Sequence, residues 1–565
     1  MAYLTLAVLG LCTIGQAIEP PNIVLFVVDD LGIGDVGSFG NDSLRTPYID
    51  SICKNGVKLE HDLASAALCT PSRAAMMTSR YAVRSGMSHV IMSLMVANGL
   101  PRSEWTLPQM LKQEGYATAL IGKWHLGWNR GMLDQYFNPI NYGFNHFFGL
   151  PTGIIKDIGG KQEIIQELGG DAMLMKIMGI CLITSGLMAY FLSKRIGITM
   201  ALMSVGFIGT CFVMLKTNGI TNATLVRNDR IIEMPANLTT ITRRLIDEGQ
   251  SFVKTQRAKR EPFFLEMSWL HVHTFLHPQP PFKGSSKHGP YGDAVEETDW
   301  AIGQIMKTLE ELGISDDTLI YFTSDHGGDK TEIDEKGRMV GGWNGIFRGG
   351  KIDGGQEGAI RVPTCIQWPS GLTKGKVISE PTSHMDLMPT IAAIVGTHMP
   401  KDRHIDGKSI LPLLTGEEKR TPHDFFFHYK ETELMAIRHR PREGDAVYKL
   451  HYVWPGWQPG TDTWPSLLSA LKGKGTVLKP PRLFNVVADP KELNPLDTKV
   501  EPYAGIVKKI EEARLLHEES LVGSVPSIQP GLSQFFSLHR SVFVDYAWQY
   551  ISDEMDKAWH AFNLY

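Results

Sequence analysis

In Asn22-Ile23-Val24-Leu25-Phe26-Val27-Val28-Asp29-Asp30, an unbroken apolar run ends on two adjacent carboxylates. A strand wetted on one face alternates apolar and polar residues, so a continuous run reads as a parallel strand covered on both faces. Comparable runs lie at residues 117–121, 263–267 and 319–323, with amphipathic helical patterns such as 107–114 and 295–312 between them. Strands alternating with helices predict a layered α/β domain. Open α/β sheets place their chemistry beyond the carboxyl ends of the strands. Reactive residues follow each run here: Asp29 and Asp30, then Lys123 and His125, then His271 and His273, then Asp325 and His326.

Asp29, Asp30 and Asp325 direct three carboxylates at one point. An isolated Asp pair is usually a solvated turn, but three such charges converge only around a cation. Oxygen ligands select a hard divalent ion, Ca2+ or, as the alternative, Mg2+. A second signal is Cys69-Thr70-Pro71-Ser72-Arg73, a Cys-x-Pro-x-Arg pattern. A lone Cys is most often a small buried hydrophobe, and so short a pattern arises by chance. Its company changes that reading. Asp29-Asp30, Cys69 to Arg73, Gly122-Lys123-Trp124-His125, Ser324-Asp325-His326-Gly327 and Arg348-Gly349-Gly350-Lys351 follow one another along the chain.

In that order these segments resemble the formylglycine-dependent sulfatases, and the resemblance covers nearly the whole chain. It implies an alkaline-phosphatase-like α/β fold, a large mixed sheet with helices on both faces, followed by a small C-terminal antiparallel-sheet domain. It also implies that Cys69 is oxidised to formylglycine (3-oxoalanine) by the formylglycine-generating enzyme, and that the hydrated aldehyde is the nucleophile. Asp29, Asp30 and Asp325 would hold Ca2+ together with an oxygen of the residue at Cys69. His326 stands where many members carry Asn or Gln. It either joins that ligand set or, because imidazole nitrogen matches a hard ion poorly, orients Asp325. Arg73 would steady the hydrate from the start of a helix. Lys123 and His125 alternate on an extended segment and so face the hydrate and the sulfate together. His273 would contact the sulfate ester, with His271 a second candidate, and Lys351 would bind sulfate and help the leaving group depart.

Sulfate monoesters resist attack because anionic oxygens surround the sulfur, so catalysis requires cations and donors around the transferred group. In the implied mechanism one hydroxyl of the hydrate attacks sulfur and the alcohol leaves, protonated by His273 or Lys351. The second hydroxyl then expels inorganic sulfate as the aldehyde re-forms. The expected substrate is a small aryl or steroid sulfate monoester of hydrophobic character.

The 565 residues exceed one ordinary core. The division expected is a signal peptide at 1–17, a catalytic domain at 18–420 and a C-terminal α+β subdomain at 421–565. Two apolar segments, 172–192 and 196–215, flank Ser193-Lys194-Arg195. At ~1.5 Å per residue each is long enough for a ~30 Å hydrocarbon core, which predicts a transmembrane helical hairpin at 171–216 with its connector cytosolic. That hairpin resembles the steryl-sulfatase branch of the arylsulfatases. It implies an endoplasmic reticulum or other secretory-pathway membrane, a lumenal catalytic domain and the bilayer as a partner. Sequons at Asn41, Asn222 and Asn237 predict glycosylation in that lumen. Apart from Cys12 in the leader and Cys69, the cysteines are Cys53, Cys181, Cys211 and Cys365, which form no disulfide framework and leave stability to the core. A net charge of −4 without a basic stripe excludes nucleic acid as a partner.

Three rival readings compete. Gly32-Ile33-Gly34-Asp35-Val36-Gly37, with Glu60 about 20 residues on, matches a dinucleotide fingerprint. Asp29 and Asp30 would repel its pyrophosphate. A phosphomonoester or phosphonate ester hydrolase of the same superfamily keeps the fold and changes the ester. A catalytically silent membrane-anchored homologue keeps neither nucleophile nor turnover.

Overall fold

The computed structural model describes residues 20–91, 98–129, 134–154, 223–274, 276–330, 340–455 and 475–526, with a few helical residues between 183 and 202. Among them, β1 (Asn22–Val28), β2 (Val57–Leu63), β3 (Ala117–Lys123), β4 (His146–Leu150), β5 (Leu225–Arg227), β6 (Arg230–Glu233), β7 (Phe263–Ser268), β8 (Thr318–Ser324), β9 (Arg361–Gln367), β10 (Lys376–Ile378) and β11 (Thr382–Ser383) form one sheet. Its order is β10-β2-β9-β8-β1-β7-β3-β4-β5-β6, with β11 pairing β2. The centre from β8 to β4 is parallel, while β9 and β5 run antiparallel to their neighbours.

Alternate side chains of β1 part to opposite faces, as strand geometry requires. Ile23, Leu25 and Val27 join a core with Met76, Leu111 and Met388, from the helices Cys69–Thr78, Leu107–Gln113 and Leu387–Val395. Val24, Phe26 and Val28 join a second core with Ile52, Leu245 and Ile302, from the helices Pro47–Asn55, Ile241–Lys259 and Gly289–Glu311. Burial on both faces is why β1 lacks the alternation of a surface strand.

A smaller antiparallel sheet follows: β12 (Phe425–Lys430), β13 (Glu433–His439), β14 (Tyr448–Trp454) and β15 (Thr476–Asn485). The helix Tyr503–Ser520 covers it through Ile510, packed with Ile437, Leu450 and Leu483. Arg84 joins this helix to the large domain, bonding Ser520 O at 2.8 Å and Asp406 at 2.8 Å.

Two expectations need correction. The transmembrane hairpin is not part of the described fold: among the described residues no helix is long and apolar enough to cross a membrane. Most of 171–216 lies outside them, as do the leader at 1–17, Cys181, Cys211 and Asn222. Spanning demands one continuous helix, which apolar composition alone does not guarantee. Second, Cys53 and Cys365 form a disulfide across 312 positions, with Cα atoms 5.0 Å apart, so one cross-link does assist the core. The sequon residue Asn41 is a buried turn residue: its amide donates to Gly34 O at 2.8 Å and its Oδ1 accepts from Leu44 N at 2.8 Å. Asn237, by contrast, is exposed. In keeping with the rejection of the dinucleotide reading, the Gly32–Gly37 segment opens no long helix. It forms two short 3-10 turns, and a Cβ on Gly32 would lie 2.3 Å from Trp343 O, so this glycine admits a neighbouring loop rather than a pyrophosphate.

Candidate active site

Strand register sets the site. Val28 pairs with Ser324, Val27 with Ser268, and Ser268 with Gly122, so β8, β1, β7 and β3 end level with one another. The residues just beyond these ends therefore meet. Gly122 is required at this edge: its φ is +118° and a Cβ would lie 1.8 Å from Ser268 O.

Cys69 opens the helix Cys69–Thr78 and points into the cluster, Sγ 3.2 Å from His326 Nε2 and 3.5 Å from Asp29 Oδ1. Arg73, one turn on, reaches Asp325 Oδ2 at 2.9 Å and Asp29 Oδ1 at 3.4 Å. Lys123 Nζ contacts Asp29 Oδ2 at 2.5 Å and Lys351 Nζ contacts Asp30 Oδ2 at 2.7 Å. All are buried. The helix N-terminus adds partial positive charge at Cys69.

These contacts govern ionisation. Burial pushes the Asp29 carboxyl up, yet the charges of Lys123, His273 and Arg73 hold it well below the usual range. Asp30 behaves likewise, with Lys351, His273 and His326 outweighing burial. Burial opposes the charges of Lys123 and Lys351, but Asp29 and Asp30 respectively, with Cys69, raise both ammonium groups. His326 is carried up to about 10, burial being outweighed by Asp325, Cys69 and Asp30. Its Nε2 lies 3.3 Å from Asp30 Oδ1 and 3.6 Å from Asp325 Oδ1, and its Nδ1–H donates to Gly327 O at 3.0 Å.

A cation fits this cluster. One ligand atom each from Asp29, Asp30, Cys69 and His326 lies within 4.8 Å of the others. Asp30 Oδ1 is buried and accepts no hydrogen bond, His326 being near it only as a charge. Asp325 shares the same wall, accepting from Asp30 N at 3.2 Å. Asp30, at φ +63°, is in the left-handed region, a strained conformation costing about 1–3 kcal/mol and typical of functional sites.

Not every expected residue converges. His273 does, with Nε2 3.8 Å from Asp30 Oδ2 and Nδ1–H donating to Thr274 O at 2.9 Å. β3 ends at Lys123, so the extended alternation expected to carry His125 is absent and His125 takes φ +60°. Its Nε2–H donates to Ile91 O at 2.8 Å, while the charges of Lys123, Arg73 and Asp29 still act on its buried ring. The His271 ring makes no contact with the cluster; burial and neighbouring His277 hold its pKa down to about 4. Two serines were not anticipated. Ser268 Oγ accepts from Arg73 Nη1 at 2.6 Å and donates to Lys123 O at 2.7 Å, and Ser72 Oγ donates to Asp325 O at 2.5 Å. Ser268 ends a strand just as the other site residues do, and that position was its available signal.

An α/β sheet bearing a cation-ringed nucleophile at its strand ends defines a hydrolase of anionic esters. A family model described as Sulfatase matches residues 21–397, and one described as the C-terminal region of aryl-sulfatase matches 421–535. The chain is 40% identical to Homo sapiens steryl-sulfatase over 523 residues, spanning 90% of this chain and 89% of that one. It is 39% identical to Homo sapiens arylsulfatase D over 540 residues, spanning 91% and 90%. A crystal structure of a Pseudoalteromonas sp. sulfatase shares the fold at TM-score 0.70, with 23% identity over 91% of this chain and 92% of that one. The chain belongs to the sulfatase family and is a sulfuric ester hydrolase.

Proposed function

We propose that this site hydrolyses aryl or steroid sulfate monoesters, with Cys69 matured to formylglycine and Ca2+ held by Asp29, Asp30 and Asp325. The observation that carries the reading is Cys69 at a helix N-terminus inside a ring of Arg73, Lys123 and Lys351. Identity to steryl-sulfatase and arylsulfatase D supports the aryl or steroid class. When present, the aldehyde hydrate supplies the attacking and expelling hydroxyls, and the cation supplies Lewis-acid charge neutralisation.

The chain's own residues do the rest. Arg73 fixes Asp29 and Asp325 from one guanidinium group, itself held by Ser268. Lys123 and Lys351, with pKa values raised, remain cationic and offset charge on the sulfuryl oxygens. Lys351, whose raised pKa keeps it protonated, is the better proton donor to the departing alcohol. Burial and Lys351 hold the His273 pKa below the ordinary value, so its ring is largely neutral near pH 7. Its Nδ1–H is committed to Thr274 O, which leaves Nε2 to face the substrate.

A secretory-pathway lumen is the proposed location. The Cys53–Cys365 disulfide favours an oxidising compartment, and exposed Asn237 remains a glycosylation candidate. The test is a parallel assay of aryl sulfate, steroid sulfate and aryl phosphate on the purified chain, with peptide mapping of Cys69. Release of inorganic sulfate with an aldehyde at that position is expected. An intact thiol in active protein, or preference for phosphate, defeats the reading.

A further inference from the structure

Outside the site, the densest buried charge lies between the two sheets. Glu357, fully buried, opens the short helix Glu357–Ile360 and meets three cations: Arg361 Nη2 at 2.6 Å, Arg438 Nη2 at 2.5 Å and Lys449 Nζ at 2.5 Å. Lys449 also pairs with Glu492 at 2.7 Å, and Glu492 accepts from Glu357 N at 3.3 Å. His61 Nε2 lies 2.9 Å from Arg361 Nη2 and 2.5 Å from Arg438 Nη1. Burial and both guanidinium groups hold its pKa far down, so it serves as their neutral acceptor. Arg438 lies on β13 and Lys449 on β14, so the C-terminal sheet supplies two of these three cations.

Two backbone bonds run from this anchor to the site. Gly327 N, beside His326, donates to Ala359 O at 2.9 Å, and Gly358 N donates to Arg348 O at 2.7 Å, three residues before Lys351. The approach is close: a Cβ on Gly327 would lie 1.9 Å from Gly358 O. We propose that Glu357 is a positioning residue, through which the C-terminal sheet sets the backbone carrying His326 and Lys351. The proposal rests on the role given above to Lys351. A dry ion cluster relaxes poorly when one member is removed, because the remaining charges lose their partners. Misplacing a reacting group by 1 Å is enough to slow turnover.

The full-length chain is compared with Glu357→Gln, Lys449→Met and the Glu357→Gln/Lys449→Met pair. Arg84→Gln and Lys351→Ala serve as references. Kinetics are measured where circular dichroism shows each protein folded. Glu357→Gln and Lys449→Met are expected to lower kcat about tenfold or more with KM nearly unchanged. The pair, which removes one charge of each sign, recovers part of the loss. Arg84→Gln breaks an equally buried ion pair elsewhere, so it lowers Tm and leaves kcat intact. If Glu357→Gln does not fold, Lys449→Met decides by the same criterion. Wild-type kcat in the folded variants overturns the proposal, as does loss of kcat in Arg84→Gln in proportion to its Tm. Unchanged turnover in Lys351→Ala overturns instead the role of Lys351 on which it rests.

Discussion

Lys351 Nζ lies 2.7 Å from Asp30 Oδ2, both groups buried, although 321 positions separate them. The ammonium charge is thereby fixed beside the cluster before substrate arrives, so no reorganisation is needed as charge shifts. Lys351→Ala is expected to lower kcat/KM on an aryl sulfate by roughly 10²–10³-fold. Lys351→Arg should fall between, because it keeps the charge and changes its geometry. Initial rates on folded protein check both.

Cys69→Ser offers a hydroxyl that attacks sulfur but carries no second hydroxyl to expel the sulfate. Incubation with substrate should leave that variant sulfated, visible as added intact mass, with no continuing turnover. Cys69→Ala should show neither adduct nor turnover.

Chelation should lower activity and Tm together, because a cation that binds only the folded chain stabilises it, by about 2.7 kcal/mol at a hundredfold excess over Kd. Oxygen ligands predict recovery with Ca2+ in preference to Zn2+. Asp29→Asn, which removes one of the buried carboxylates, should weaken that recovery. Thermal melts across a metal titration measure it.

Cys53→Ser opens a loop of 312 positions and should destabilise the fold by about 2–5 kcal/mol while leaving kcat unaltered, since neither sulfur touches the site. Denaturant unfolding beside kinetics separates the two effects.

Asp406 tests the latch to the C-terminal helix. Burial raises its pKa, but His404, Arg84 and Tyr81 N outweigh burial and hold it below 3.8. A carboxyl depressed in the fold contributes stability that is present above its unfolded value, near pH 4, and lost as pH falls through the folded value. Asp406→Asn should therefore destabilise the chain at neutral pH and flatten the loss below about pH 4. Tm against pH is the measurement.

Much of the site was legible because the central strands are buried on both faces, which writes their limits as apolar runs and leaves reactive residues at their ends. Asp29, Asp30, Lys123, His273 and Asp325 could be read that way. Ser268 shared the strand-end position, a faint signal for a lone serine, and Ser72 at a helix start carried none. The buried ions around Glu357 were equally silent, because charged residues scattered over separate segments read as surface until the two sheets meet.

By itself, then, the chain of residues determined the α/β alternation, the order of the reactive segments and the family. Only tertiary packing decided that Cys53 finds Cys365, that His125 turns toward Ile91, that Asn41 is enclosed and that Glu357 is ringed by cations. Local patterns record which environment a residue prefers, whereas partners hundreds of positions away are selected by strand register and by the cost of leaving buried polar groups unpaired.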